Sequence, residues 1–434
     1  MSLKEKYDVI IVGSGTAGGT LVQQLSQSRP DLHILLIEKG VRIKPEENGK
    51  FWPFVLKHYR NFVIGSRSQE GVVIYAAEAL GGTSVVSCGN LVRSARLEEK
   101  FAKLGVDLIL SLAEAENLLK VKPLLTSRIL GGSATIMQAA NILGYPMAPM
   151  PKGVAKQCNS CGNCVLSCGA EAKWDVRPGI EASLQGDMVD LLPSTKVRRV
   201  IFSEQEVKGV ELRSGKTISA RNVVLCAGGL GTPVILQNSG IEAGEGLTIH
   251  PFVVTYGWLP NGHTQQKGMT MSAYYKPEEG IMLSPFLDHW SQKLLACGLF
   301  WSLRYPLSQV LGIMVKVADP ESTGKVNANG RVNYSIPFEA QHRLESGAAK
   351  AGEVLLAAGV EQSTLNTTFR FPRGAHPSGT ARLGEVVDVN LEVSNRKGLF
   401  ISDASVIPLA TGTPPILTLV AINIRLAMHL SNNL

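Results

Sequence analysis

Asp8-Val-Ile-Ile-Val-Gly13-Ser-Gly15-Thr-Ala-Gly18-Gly19-Thr20 is the stretch on which the reading of the chain turns. Val9 to Val12 form a short apolar run without alternation, the pattern of a strand buried on both faces of a parallel sheet. Gly13, Gly15 and Gly18 follow as G-x-G-x-x-G, and Thr20 to Gln27 continue as a helix. In that order the elements cradle a pyrophosphate. Gly13 allows the tight turn, Gly15 lets phosphates approach the backbone, and Gly18 lets helix and strand pack closely. A second apolar run, His33 to Ile37, ends in Glu38, about where a carboxylate would accept hydrogen bonds from a ribose. The expectation is a dinucleotide site. The motif itself does not separate NAD from FAD.

With 434 residues the chain exceeds one small core, so two domains of uneven size are expected. Hydrophobic content of 44% and charged content of 18% describe a globular protein. The net charge of +7 is not gathered into a Lys/Arg cluster with interleaved aromatics, which argues against nucleic acid as a partner. No apolar run reaches the roughly eighteen residues of a membrane span. The first strand follows directly on Met1 to Lys6, leaving no room for a signal peptide, so a cytoplasmic location is expected.

Two further strands run into glycines. Val72 to Tyr75 leads to Ala79-Leu-Gly81-Gly82-Thr83-Ser84, and a β-meander (Val197–Phe202, Val207–Arg213, Thr217–Leu225) ends in Cys226-Ala227-Gly228-Gly229. Residues 251–370 carry alternating apolar stretches with turn dipeptides at Asn261-Gly262 and Asn329-Gly330, the pattern of an antiparallel sheet. Gly398 to Asp403 reads as a strand ending in an acid, and Pro415 to Leu430 as an apolar helix with Pro near its start.

Cys158-x2-Cys161-x2-Cys164-x3-Cys168 has the spacing of bacterial ferredoxins, with Gly169 where those place Pro. Four such thiolates suit a 4Fe-4S cluster, less well a tetrahedral zinc, or they stay as free thiols or a disulfide. Cys88, Cys226 and Cys297 read as small buried hydrophobes.

The spaced segments resemble the glucose-methanol-choline (GMC) oxidoreductases, flavoproteins that oxidise alcohols. Four segments carry the resemblance: the N-terminal fingerprint, Gly81-Gly82-Thr83-Ser84, Cys226-Ala-Gly-Gly with Thr232-Pro233, and the run from His376 to Pro415. GGTSVVSCG is similar to the Gly-rich loop of the long-chain alcohol oxidase and cholesterol oxidase branch.

The resemblance implies an α/β fold in which residues 1–250 and 371–434 form a Rossmann-type FAD-binding domain with a β-meander and a Cys-rich insert near 150–180. Residues 251–370 would form a smaller α+β substrate domain. It implies that Gly13, Gly15, Gly18 and Glu38 hold the ADP half of FAD, with Val197 at the adenine. Gly82 and Ser84 would lie along pyrophosphate and flavin, with Ala227, Asp403 and Ala404 also at the cofactor. His376 falls where the family has its active-site histidine and would act as base. Thr413 replaces the family's second active-site residue, and His250 falls near the domain junction. Val86 stands where some members carry the histidine that bonds FAD covalently, so the FAD is expected to be non-covalent. An imidazole suits the proton and the flavin takes the hydride.

The activity expected is oxidation of a CH–OH group of a small-molecule alcohol, with an acceptor protein or a quinone as a further partner. Two other readings stay open: a non-redox lyase with structural FAD, and a flavin and iron–sulfur electron carrier.

Overall fold

The apolar run near the start of the chain becomes β1 (Lys6–Val12), and every residue from Val9 to Val12 is buried because strands flank it on both sides. The structure, a computed structural model, describes residues 4–49, 68–260, 268–278, 280–287, 293–294, 298–319, 321–370 and 372–434. The turn expected at Asn261-Gly262, and Cys297, lie outside them.

Among the described residues, β1 belongs to a seven-stranded sheet. Its parallel neighbours are β2 (Ile34–Ile37) and, beyond that, β3 (Val189–Leu192). The meander supplies β4 (Val197–Ser203), β5 (Glu206–Leu212) and β6 (Thr217–Leu225), antiparallel to one another. β6 returns parallel to β1, and its last residues, Val223 to Leu225, also pair with Leu399–Ile401. Helix α1 (Thr16–Ser28) follows β1 and buries Leu21, Val22 and Leu25. α2 (Gly228–Asn238) follows β6 in the same manner. Three of these parallel strands thus end at one edge, where open α/β sheets place their ligands.

The second sheet is built around β7 (Glu245–Trp258), a 14-residue strand buried from Leu247 to Gly257. β8 (Ile281–Pro285) and β9 (Val310–Val317) extend it antiparallel on one side. On the other edge β7 pairs with β10 (Gly324–Val326), with β11 (Val332–Asn333) beyond it, and with β12 (Asn366–Thr367) and β13 (Arg373–Ser378). Helix α3 (Phe338–Ala357) covers this sheet through Ala340, Leu344, Ala348, Ala351, Val354 and Leu355. The boundary expected at residue 250 falls inside β7, because its apolar run is continuous across that point. β13 and the short strand Val73–Ile74 also pair in the second sheet, although both fall within residues 1–250 and 371–434, expected to form the other domain.

α4 (Ile416–Asn433) begins after Pro414-Pro415 and packs on α1, with Leu417, Val420, Ala421, Ile424 and Leu426 almost wholly buried. Among the described residues no helix is long and apolar enough to cross a membrane. The two sheets meet along β13, which leaves β7 and passes to Gly379 and Ala381. Their N–H groups donate to Ala404 and Ser405 beside the first sheet.

Candidate active site

A cavity of about 710 Å³ lies between the glycine junctions of the first sheet and the inner face of the second. One end is formed by Gly13, Gly15, Glu38, Gly82, Val197, Ala227, Asp403 and Ala404. Gly13 has φ 105°, and a Cβ there would stand 2.4 Å from the Cys226 oxygen. Gly18 does not reach the cavity. It packs so closely under the turn that a Cβ would be 1.9 Å from the Gly13 oxygen. Gly82, at φ 51°, brings its backbone against Gly15, where a Cβ would lie 2.8 Å from the Gly15 Cα. The N-terminus of α1 at Gly15 has no side-chain cap, so its N–H groups and dipole are left to an anion.

Glu38 is fixed at the end of β2. One carboxylate oxygen accepts from the Ser14 N–H (2.9 Å) and hydroxyl (2.6 Å), and the other from the Gly40 N–H (2.7 Å). Asp403 accepts from Gly228 N–H (2.8 Å), Thr232 Oγ1 (2.5 Å), Ser405 N–H (2.8 Å) and Ser405 Oγ (2.6 Å). It therefore ties the start of α2 to the chain after Leu399–Ile401. Burial pushes its carboxyl up, and the hydrogen bonds oppose that shift.

Besides Gly18, three expected residues do not line this cavity: Ser84, Thr413, and His250, which stands behind His376. Ser84 is fully buried, donates its hydroxyl to the Gly81 oxygen (2.6 Å) and accepts from the Val176 N–H (3.3 Å). The 3-10 turn Gly82–Val86 rotates it inward, and Thr83, Val86 and Ser87 line the cavity instead. Thr413 shares a hydrogen bond with Thr411 (2.7 Å) and lines a separate cavity of about 270 Å³.

The structure brings together His376 and His250. Their Nδ1 atoms are 3.0 Å apart, with the rings set edge to face at 73°. His376 lines the cavity on β13 and sits at φ 58°, in the left-handed region that a non-glycine residue occupies at a cost of about 1–3 kcal/mol. The register of β7 against β13 shifts between Thr248 and His250. The proton arrangement follows from one backbone group. Gly412 N–H donates to His250 Nε2 (3.2 Å), so that nitrogen holds the lone pair and Nδ1 holds the hydrogen. His250 Nδ1–H then donates to His376 Nδ1, which leaves the His376 hydrogen on Nε2. Burial holds both imidazoles well below their ordinary pKa, with the Lys316 charge adding to the effect. The pair is therefore neutral and presents an N–H.

Sequence reasoning missed the other end of the cavity. Phe252, Phe286, Met271 and Met314 wall it, and Lys316 of β9 lines it. A visible signal was present: one lysine inside the otherwise apolar strand VLGIMVKV. Two further buried lysines fasten the segment after the Gly-Gly turn. Lys173 Nζ donates to the Ser84 (2.8 Å) and Val85 (3.3 Å) oxygens. Lys152 Nζ donates to the Cys88 oxygen (2.8 Å), Asn90 Oδ1 (2.6 Å) and the Thr270 oxygen (3.1 Å).

The metal expectation is corrected. Cys158, Cys161, Cys164 and Cys168 do not form a ligand set, and among the described residues no three His, Cys, Asp or Glu side chains converge as metal ligands. A cluster or zinc requires thiolates around one point. The loop that carries them has left-handed backbone at Ser160 (φ 54°), Gly162 (φ 78°) and Ser167 (φ 64°). Cys161 is exposed, the Cys164 thiol is pushed up to about 11 by burial, and Cys168 Sγ accepts from the Ala172 N–H (3.4 Å).

Comparison with known proteins agrees with this geometry. The N-terminal model of the GMC oxidoreductases matches residues 7–252, and the C-terminal model matches residues 320–423. An uncharacterised protein of Methanocaldococcus jannaschii is 30% identical, over 96% of this chain and 98% of its own. A long-chain-alcohol oxidase of Arabidopsis thaliana is 22% identical, over 100% of this chain and 69% of its own. The solved structure of pyridoxine 4-oxidase from Mesorbium loti superposes with a TM-score of 0.73 at 18% identity. That match covers 98% of this chain and 99% of the other, and it speaks to the fold.

Proposed function

Because the chain belongs to the GMC oxidoreductases, we propose that it oxidises the CH–OH group of a small-molecule alcohol with FAD held non-covalently, His376 being the residue that meets the hydroxyl. The residues present fit the cofactor. A Cβ at Gly15 would enter the open space of the cradle, and bare backbone at Gly13 and Gly82 lets the turns that form it pack closely. The uncapped N-terminus of α1 favours a pyrophosphate, and the Glu38 carboxylate lines the same end for a ribose. Gly13, Gly15, Glu38, Gly82, Val197, Ala227 and Ala404 would hold it, and Asp403 would fix the two segments that carry Ala227 and Ala404. FAD, when bound, supplies the hydride acceptor.

The observation that carries the reading is the neutral histidine pair at the junction of the dinucleotide cradle and the apolar end. In the resting arrangement His376 Nε2–H donates to the substrate oxygen and favours negative charge developing there. To accept the hydroxyl proton at Nε2, the pair must first shift both its protons toward Gly412. That gives up the Gly412 hydrogen bond, at a cost of about 1–3 kcal/mol. His376 is thus first the donor that holds the oxygen and then, after this shift, the base.

Anaerobic mixing of FAD-loaded protein with a panel of primary and secondary alcohols tests the reading. Bleaching of the flavin with formation of the carbonyl compound is expected. Carbonyl product without bleaching would favour the lyase, and no response to any alcohol would favour the electron carrier.

A further inference from the structure

Lys316 has no role in the reading above, yet it is 2% exposed and lines the cavity. Among the described residues no hydrogen bond or ion pair reaches its ammonium, unlike Lys152 and Lys173, each of which has several oxygen partners. Cross-strand pairing fixes its direction. Lys316 lies opposite Phe252 of β7 and Met282 of β8, and Met314 lies opposite Val254, so the side chain rises from the same sheet face as the aromatic and methionine wall.

The acids that line the cavity are already engaged. Glu38 is held by Ser14 and Gly40, Glu78 by Lys39 (2.7 Å), and Asp403 by Gly228, Thr232 and Ser405. The titratable and charged groups facing Lys316 are Cys88, Lys276, His250 and His376, with Arg373 stacked beyond the Phe252 ring at 4.9 Å. Among the described residues no carboxylate joins them. A desolvated ammonium without an anion is costly, and here burial lowers the Lys316 pKa to about 7. One cation in an apolar wall is matched by one negative charge on an apolar body.

We infer that Lys316 anchors a carboxylate, so that the alcohol oxidised at His376 is a hydroxy acid. This rests on the oxidation proposed above and adds the class of substrate to it.

The test separates binding from turnover. Calorimetry on FAD-loaded protein compares unreactive n-alkanoates from acetate to decanoate with the primary amides of the same length. At least one alkanoate is expected to bind tenfold or more tightly than its amide. Above pH 7 its binding should take up a proton, because the anion restores the charge on Lys316. Lys316→Met should bring acid and amide to equal affinity with FAD content unchanged. Lys316→Gln, which keeps a donor without the charge, should do the same. Hydroxy acids should then reduce the flavin with higher kcat/KM than the matched alcohols, and that advantage should vanish in Lys316→Met.

Equal binding of acid and amide by the wild type, or a preference that survives Lys316→Met, would overturn the anchor. Loss of FAD from Lys316→Met with recovery in Lys316→Arg would assign the ammonium to the cofactor and also overturn it. Tight Lys316-dependent alkanoate binding with no flavin reduction by any alcohol or hydroxy acid would keep the anchor and defeat the oxidation.

Discussion

Nδ1 of His250 and Nδ1 of His376 stand 3.0 Å apart although 126 positions separate them in the chain. The Gly412 N–H on the far nitrogen of His250 decides which way that bond runs. His376 therefore reaches the cavity with a hydrogen on Nε2. Asn tolerates the left-handed backbone at this position, so His376→Asn should fold and retain FAD. Its anaerobic flavin reduction by alcohol should fall about 10²–10³-fold, the range for loss of one preorganised donor to a developing oxyanion. Reduction at the wild-type rate in stopped flow would remove His376 from the reaction.

Both imidazoles are held well below the ordinary histidine pKa by burial, so the unfolded chain binds protons that the folded chain does not. Their effect on stability is absent above the unfolded pKa and becomes destabilising as pH falls below it. Between about pH 6.5 and 5 the loss should approach 1.4 kcal/mol per pH unit for each histidine. Lys316, with its pKa lowered to about 7, acts in a different window, destabilising as pH falls from its ordinary 10.5 toward 7 and changing little below. Urea unfolding at pH 7, 6 and 5 should show the decline, and a His250→Gln, His376→Gln double variant should flatten it.

Val86 lines the cavity and carries no nucleophile. Heat or acid denaturation should release all FAD to the supernatant. Yellow colour retained on the precipitated protein would mean a covalent bond at another residue.

Gly15 and Gly18 should separate cofactor binding from folding. A Cβ on Gly18 would strike the Gly13 oxygen at 1.9 Å, a backbone atom of the same tight turn, with the Cys226 Cβ at 3.1 Å on the other side. Gly18→Ala should cost about 3 kcal/mol, the upper part of the overpacking range, in urea unfolding of the FAD-free protein. At Gly15 the nearest atom to a Cβ is 4.0 Å away, so Gly15→Ala should keep wild-type stability without FAD. It should nonetheless bind FAD more weakly, since the methyl group fills the place of the pyrophosphate. Unchanged FAD affinity would show that the cradle lies elsewhere.

The first sheet was legible in the sequence because its signals are local. An unbroken apolar run, three glycines at fixed spacing and an acid at the end of the next run describe a strand, turn, helix and strand whose contacts lie within about forty residues. The meander from Val197 to Leu225 was equally local, its strands joined by short turns. Cysteine spacing is local too, but it misled. Spacing fixes how far apart thiols can be but not whether they converge, and among the described residues they do not converge as a ligand set.

What only the tertiary structure decided was which distant segments share the cavity. β9 carries Lys316 and β13 carries His376 to the cavity wall through antiparallel pairing with β7, whose His250 stands behind His376. Ser84 and Thr413, plausible by position, were turned away by the 3-10 turn at Gly82–Val86 and by the hydrogen bond to Thr411. A sequence names the residues that can carry a proton or a charge. Whether such a group meets water, a partner or a cavity depends on strand register and burial, and these are set by contacts between segments far apart in the chain.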